Sequence, residues 1–252
     1  SVESCWLKEL KDKKLVAKIK KYLFAPQQPP EWKNNPNEWL TNIDLLEVMK
    51  QYELKHPNFK FIGPTCIDFD DKLPENGKCV WEELCKFNLE KLTKKGKNKV
   101  GIIFNLDKHN EPGSHWVALY INLIKHQVYF FDSYGSDPED EIKSFMRKAA
   151  AYMESKGTMP NNITMKWNKT QHQRENSECG VYSINFLLRM LRGDDFDEVC
   201  NNPMPDRFVN RCRNKYFENQ NVPIEKTKHP FTSKSKNKYV ENQNVDRKST
   251  RL

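Results

Sequence analysis

Apolar residues recur at helical spacing from Cys5 to Phe24, where Trp6, Leu7, Leu10, Leu15, Ile19, Leu23 and Phe24 sit among lysines. That pattern predicts an amphipathic helix, ending before Pro26. The Pro-rich stretch Ala25–Pro36 reads as a linker. Asn37–Tyr52 then opens with capping residues and continues with helical periodicity, which makes Thr41 or Asn42 the N-cap. Residues 58–69 read as extended, and Val80–Leu92, with Trp81, Leu84, Cys85 and Leu92, as a further helix.

The centre of the chain has a different pattern. Val100–Leu106, Trp116–Leu123 and Gln127–Phe131 are rich in β-branched and aromatic residues and are separated by short polar turns, the mark of adjacent strands. Pro138–Ser155 has helical spacing, Ile163–Trp167 reads as a short strand, and Cys179–Leu191 is an apolar helix closed at Gly193. The order is mixed, so the expected class is α+β, a central sheet flanked by helices. Periodicity disappears after Val222, and residues 226–252 read as a flexible tail. The expected organisation is a basic helical extension with its linker at 1–36, a main domain at 37–225 and a basic tail at 226–252. Asn214–Val222 recurs almost unchanged as Asn237–Val245, and two copies are too few for a repeat fold.

Composition narrows the class. With 252 residues, 37% of them hydrophobic, the chain can bury one sizeable core. Its apolar stretches fall far short of the ~20 residues that span a bilayer, and its lysine-rich start lacks a signal-peptide core. The reading is therefore an intracellular protein that does not enter a membrane. The seven cysteines form no CxxC pair, and no histidines stand at zinc spacing, so reduced thiols are expected, with no metal and no cofactor. The net charge of +8 is concentrated at the ends, with eight Lys/Arg against two acids in 226–252 and seven against three in 1–23. Basic ends of this kind offer nucleic acid as a second partner class, held by counterion release.

One thiol stands apart. In Asn176–Leu188 (NSECGVYSINFLL) Cys179 precedes a glycine and opens an apolar helix, whose N-terminus favours an anion. Gly180 would let a substrate backbone approach the sulfur. His115, in Gly113–Asn122 (GSHWVALYIN), sits at the mouth of a strand, and the next strand ends at Asp132. If these strands are antiparallel neighbours, Asp132 emerges beside His115 and can hold one imidazole nitrogen. The other nitrogen can then take the thiol proton, the logic of nucleophile, base and orienting group. Gln173, six residues before Cys179, would donate its amide to a developing oxyanion beside the backbone N–H of Cys179. Gln171 and His172 compete for these roles on spacing alone.

A histidine followed by tryptophan and a strand, an aspartate ending the next strand, and Gln-x5-Cys-Gly opening a helix together resemble the SUMO and ubiquitin-like-protein-specific cysteine proteases, whose fold adenovirus-type (adenain-like) and large-DNA-virus maturation proteases share. The resemblance covers about residues 37–195 and implies a papain-like cysteine protease fold. It extends to Asn37–Asp44 (NEWLTNID), which is similar to the start of the family's Trp-Leu helix, and implies that Trp39 and Trp116 wall a narrow tunnel for a Gly-Gly end. Two flat indoles admit only residues without side chains, so specificity would come from exclusion. Glu178, where cellular members commonly carry aspartate, and the lysine-rich start place the chain nearer the viral branch. The implied activity is cleavage after small residues in viral structural polyproteins during virion maturation, with a Gly-rich protein site as substrate, in host cytoplasm and virion. The alternatives are deconjugation of a ubiquitin-like protein, acetyl transfer on the same triad, and an inactive module that binds a ubiquitin-like tail or nucleic acid.

Overall fold

A computed structural model describes residues 12–16 and 25–218. Lys13–Val16 lies in a separate unit and is a helical turn whose Asp12 carboxylate accepts from the Lys14 and Leu15 amides at 2.8 and 3.1 Å. The remainder of the expected Cys5–Phe24 helix and the expected 226–252 tail lie outside the described residues. Among those described, no helix is long and apolar enough to cross a membrane.

The main unit is built on five strands: β1 (Phe59–Cys66), β2 (Lys99–Asn105), β3 (Trp116–Asn122), β4 (Gln127–Phe131) and β5 (Thr164–Trp167). They lie in the order β1-β2-β3-β4-β5. The outer pairs β1/β2 and β4/β5 are parallel, and the inner pairs β2/β3 and β3/β4 are antiparallel, which makes the sheet mixed. Both faces are covered. Ala118 and Tyr120 of β3 join one core cluster with Phe131 and the helix α5 (Cys179–Arg192), whereas Val117, Leu119 and Ile121 join the other with Ile142, Phe145 and Met153 of α4 (Asp140–Ser155). Alternate residues of one strand thus serve opposite cores, so the central strands read as nearly continuous apolar runs.

Local chemistry sets the element ends. Thr41 caps α1 (Asn42–Lys55) in a full capping box, its hydroxyl accepting from the Asp44 amide while the Asp44 carboxylate accepts from the Thr41 amide. Gly193, at φ +92°, closes α5. The expected Val80–Leu92 helix is instead two pieces, α2 (Glu82–Cys85) and α3 (Leu89–Lys94). The break comes at Asn88, whose extended backbone and side chain cap the second piece by accepting from the Lys91 amide at 2.9 Å. The expectation of reduced thiols is also corrected, because Cys79 and Cys85 form a disulfide. The turn into α2 brings their Cα atoms to 6.3 Å, a proximity that no CxxC spacing announces.

The Pro-rich stretch packs onto this unit. Trp32 is buried and meets the ring of Phe217 edge-on at 4.9 Å, and Gln27 bridges to Glu218. Three short helices end the chain of elements: α6 (Phe196–Asn201), α7 (Asp206–Arg211) and α8 (Arg213–Tyr216).

Close packing leaves a direct test at Gly101 of β2. A Cβ there would lie 2.8 Å from the ring of fully buried Phe59 and 3.3 Å from Leu187 of α5. Gly101→Ala is therefore expected to destabilise the fold by about 1–3 kcal/mol, seen as a lowered thermal midpoint in circular dichroism; an unchanged midpoint would mean that this layer is looser than described.

Candidate active site

Two strand ends and one helix start deliver the candidate residues. His115 precedes β3 and Asp132 follows β4, and the antiparallel register that pairs Ala118 with Phe131 brings these ends together. Three residues beyond that pair the same register sets Tyr134 opposite His115, and their rings stack with centroids 4.7 Å apart. His115 Nε2 lies 2.5 Å from Asp132 Oδ1. Nδ1 is the ring nitrogen not engaged by Asp132, and Cys179 lies near enough to influence the charge of the ring. Cys179 is the first residue of α5, where a helix presents free N–H groups and the positive end of its dipole.

The electrostatics follow from burial and these bonds. Burial alone would depress the His115 pKa, but the bond to Asp132, the neighbouring Cys179 and the charges of both outweigh it and raise it to about 9. Burial likewise disfavours the Asp132 carboxylate; the bond to His115, its charge, and the Tyr134 and Ser136 amides overcome this and hold its pKa below the ordinary carboxylate range. Asn168 clamps the aspartate's backbone, its Oδ1 accepting from the Asp132 amide at 2.9 Å and its Nδ2 donating to the Asp132 carbonyl at 2.6 Å.

The loop before Cys179 places the three candidates in different surroundings. Gln173 is fully buried; its Oε1 accepts from Ser133 Oγ at 2.7 Å and its Nε2 donates to the Glu175 carbonyl at 2.7 Å. Gln171 instead donates to the Gln173 carbonyl at 2.8 Å, acting as a brace for it. His172 faces away, with Nε2 2.8 Å from the Cys200 carbonyl and its ring edge-on to Phe131, and burial lowers its pKa. Among the described residues His115 and His109 carry a carboxylate partner, and the partner of His109 is Asp68.

The tryptophans and the glycine meet at Leu40. Trp39 is 41% exposed, whereas Trp116 is 9% exposed and donates its indole N–H to the Leu40 carbonyl at 3.0 Å. At Gly180 a Cβ would lie 3.0 Å from Leu40 Cβ. The glycine's missing side chain lets the Trp39–Leu40 segment close on α5.

Residues 85–227 match the model described as the Ulp1 protease family, C-terminal catalytic domain. The chain belongs to the Ulp1 protease family. The match to this family takes in His115, Asp132, Gln173 and Cys179 and leaves out Trp39. The chain is also 37% identical over 206 residues to R355 of Acanthamoeba polyphaga mimivirus, named by inference a thiol protease, covering 82% of this chain and 65% of the relative. The chain thus spans just under two thirds of that relative's length. Its fold is that of the ASFV pS273R protease crystal structure, at TM-score 0.64, 20% identity, and coverage of 85% of this chain and 78% of that one. A selenomethionine form of the same ASFV protease superposes at TM-score 0.61 with 20% identity, over 80% of this chain and 75% of that one.

Several residues of this Ulp1-family site were not singled out from sequence. Asn168 directly follows β5 and Ser133 directly follows Asp132, so position beside an already suspected residue was the available signal for both. Asp206 accepts from the Arg174 and Glu175 amides and from the Tyr182 hydroxyl. No motif marks it.

The His115 pKa carries a consequence for pH. A histidine whose pKa rises from 6.5 to about 9 on folding contributes stability that is fully present below about pH 6.5 and is lost as pH rises through about 9. Asp132→Asn removes the largest of the raising contacts, and the His115 midpoint, followed by NMR of the imidazole, is expected to fall by about 1–3 units. A midpoint that does not move would show that Asp132 does not bear on this ring.

Proposed function

We propose that the chain is a cysteine endopeptidase that acts through a thioester on Cys179. The reading rests above all on one observation: the His115 imidazole is held through Nε2 by a buried carboxylate, with Cys179 beside it as the first residue of α5. In this mechanism the thiol proton already rests on His115 Nδ1, as the raised His115 pKa favours, and the thiolate sulfur attacks the scissile carbonyl carbon. The oxyanion takes the backbone N–H of Cys179 and the second amide hydrogen of Gln173, the first being committed to the Glu175 carbonyl. His115 then gives its proton to the leaving amine, and water, deprotonated by the same nitrogen, releases the acyl group. Asp132 orients the ring and stabilises the imidazolium. A thiol nucleophile persists where it stays reduced, so an intracellular setting is part of the proposal.

The substrate we propose is a protein segment with glycine before the scissile bond, because the exposed Trp39 beside the Leu40 segment makes a wall that favours residues without side chains. Likeness to a mimivirus relative favours maturation of viral structural polyproteins, and membership of the Ulp1 family favours the second reading, release of a ubiquitin-like protein.

A fluorogenic peptide ending in Gly-Gly and a ubiquitin-like fusion ending in Gly-Gly separate the two. The intact chain is expected to cut the peptide, and Cys179→Ala to abolish cutting, with at least about a 1000-fold loss. Efficient cleavage of the fusion alone would favour deconjugation. If neither is cut and a glycine-based electrophile leaves Cys179 unlabelled, the chain is not a protease. In the same assay Trp39→Ala is expected to raise KM with little change in thermal midpoint, since this indole is largely outside the core; an unchanged KM would remove Trp39 from the substrate wall.

A further inference from the structure

Arg213 opens α8, thirty-four residues after Cys179, and is 3% exposed. A guanidinium so deeply buried is ordinarily paired with a carboxylate. Here Nη1 donates to the Glu38 carbonyl at 2.5 Å and Nη2 to the Ser177 carbonyl at 3.0 Å, while the guanidinium carbon lies 4.9 Å from the centre of the Trp32 ring. Nε, also buried, has no hydrogen-bond partner. The carboxylates of Glu178, Asp44 and Glu38 favour its charge, but none of them is its hydrogen-bond partner. What an apolar side chain cannot do is hold two main-chain carbonyls from distant segments on one rigid fork.

The two segments lead into Trp39 and into Cys179. Glu38 immediately precedes Trp39, and Ser177 stands two residues before Cys179. On its far side the Glu38–Leu40 segment is anchored by Trp116, which bonds the Leu40 carbonyl and whose own carbonyl accepts from Ser183 Oγ of α5 at 3.1 Å. From α7, Asp206 fastens the other part of the nucleophile loop, accepting from the Arg174 and Glu175 amides at 2.9 and 3.1 Å. The residues after α6 therefore hold that loop, and Arg213, with Asn210 through its bond to Asn37, also reaches the segment that carries Trp39.

We propose that Arg213 is a positioning residue that sets the spacing between the Trp39 wall and the Cys179 sulfur, and so the alignment of a bound peptide with the nucleophile. The proposal rests on the protease reading above for its kinetic consequence, and on geometry alone for its structural one.

Two variants test it. Arg213→Lys keeps the charge but reaches one carbonyl at a time, and Arg213→Met keeps the stem without donors. With folding checked by circular dichroism, kcat/KM on the Gly-Gly peptide is expected to fall about tenfold in the lysine variant and about 100-fold in the methionine variant. Alkylation of Cys179 by iodoacetamide, a reagent too small to need the Trp39 wall, should keep its wild-type rate. Hydrogen exchange should quicken together at the Trp39–Thr41 and Ser177–Gly180 amides while the sheet stays protected. Wild-type kcat/KM in a folded variant, or alkylation that falls in step with turnover, would overturn the proposal. Should the methionine variant not fold, the lysine variant decides by the same criteria. Should the wild-type chain cut no Gly-Gly substrate, the protease reading fails, and the exchange measurement decides separately: unchanged protection of the two segments sinks the Arg213 proposal.

Discussion

The antiparallel pairing of β3 with β4 is the constraint on which the rest of the site depends. A strand ladder has a period of two, so a slip of one residue would turn Ala118, Tyr120 and Phe131 out of the core they share with α5. Burial of those side chains therefore fixes the register, and the register fixes which residues leave the two strand ends side by side. His115 and Asp132 meet as a result of hydrophobic packing several residues away. The geometry of a proton-transfer pair is thus held by apolar side chains that never touch a proton.

Around that pair the protein spends polar groups freely. The Asp132 carboxylate takes two backbone amides as well as His115, and its peptide unit is held on both sides by Asn168. Gln173 is fixed through Ser133, the neighbour of Asp132, so the loop before Cys179 is referenced to the same strand end as the histidine. Each tie uses a buried donor or acceptor that would otherwise go unpaired at a cost of about 1–3 kcal/mol. The network resists small displacements, since moving one member strands another.

How much of this was legible in the sequence depends on how far apart the partners lie. The three central strands, the Thr41 cap and the Gly193 stop came through because each is written in neighbouring residues. His115, Asp132 and Cys179 could be singled out because each sits at an element end that periodicity can locate, and Gln173 because it stands six residues before the thiol. Arg213 was not, because its partners lie 175 and 36 positions away and nothing near it marks a buried guanidinium. The Cys79–Cys85 bond and the break at Asn88 were missed for a related reason, since apolar spacing carried the helix prediction across a residue better suited to capping. That Leu40 packs against Gly180 was not legible, because sequence shows that a side chain is absent but not what fills the space.

The folded unit also closes on itself. Glu218 donates to the Pro26 carbonyl at 2.8 Å and accepts from the Gln28 amide at 3.0 Å, so the first and last described stretches of this unit meet in an isolated parallel bridge. Such a clasp makes the two ends one cooperative piece: trimming either would leave the other unpaired and free the Trp32–Phe217 contact beneath it. Adjacent ends also suit circular permutation. A short peptide could join them and new termini be opened in an exposed turn such as the one at Lys125, leaving the cleft intact while changing which part of the chain is made first.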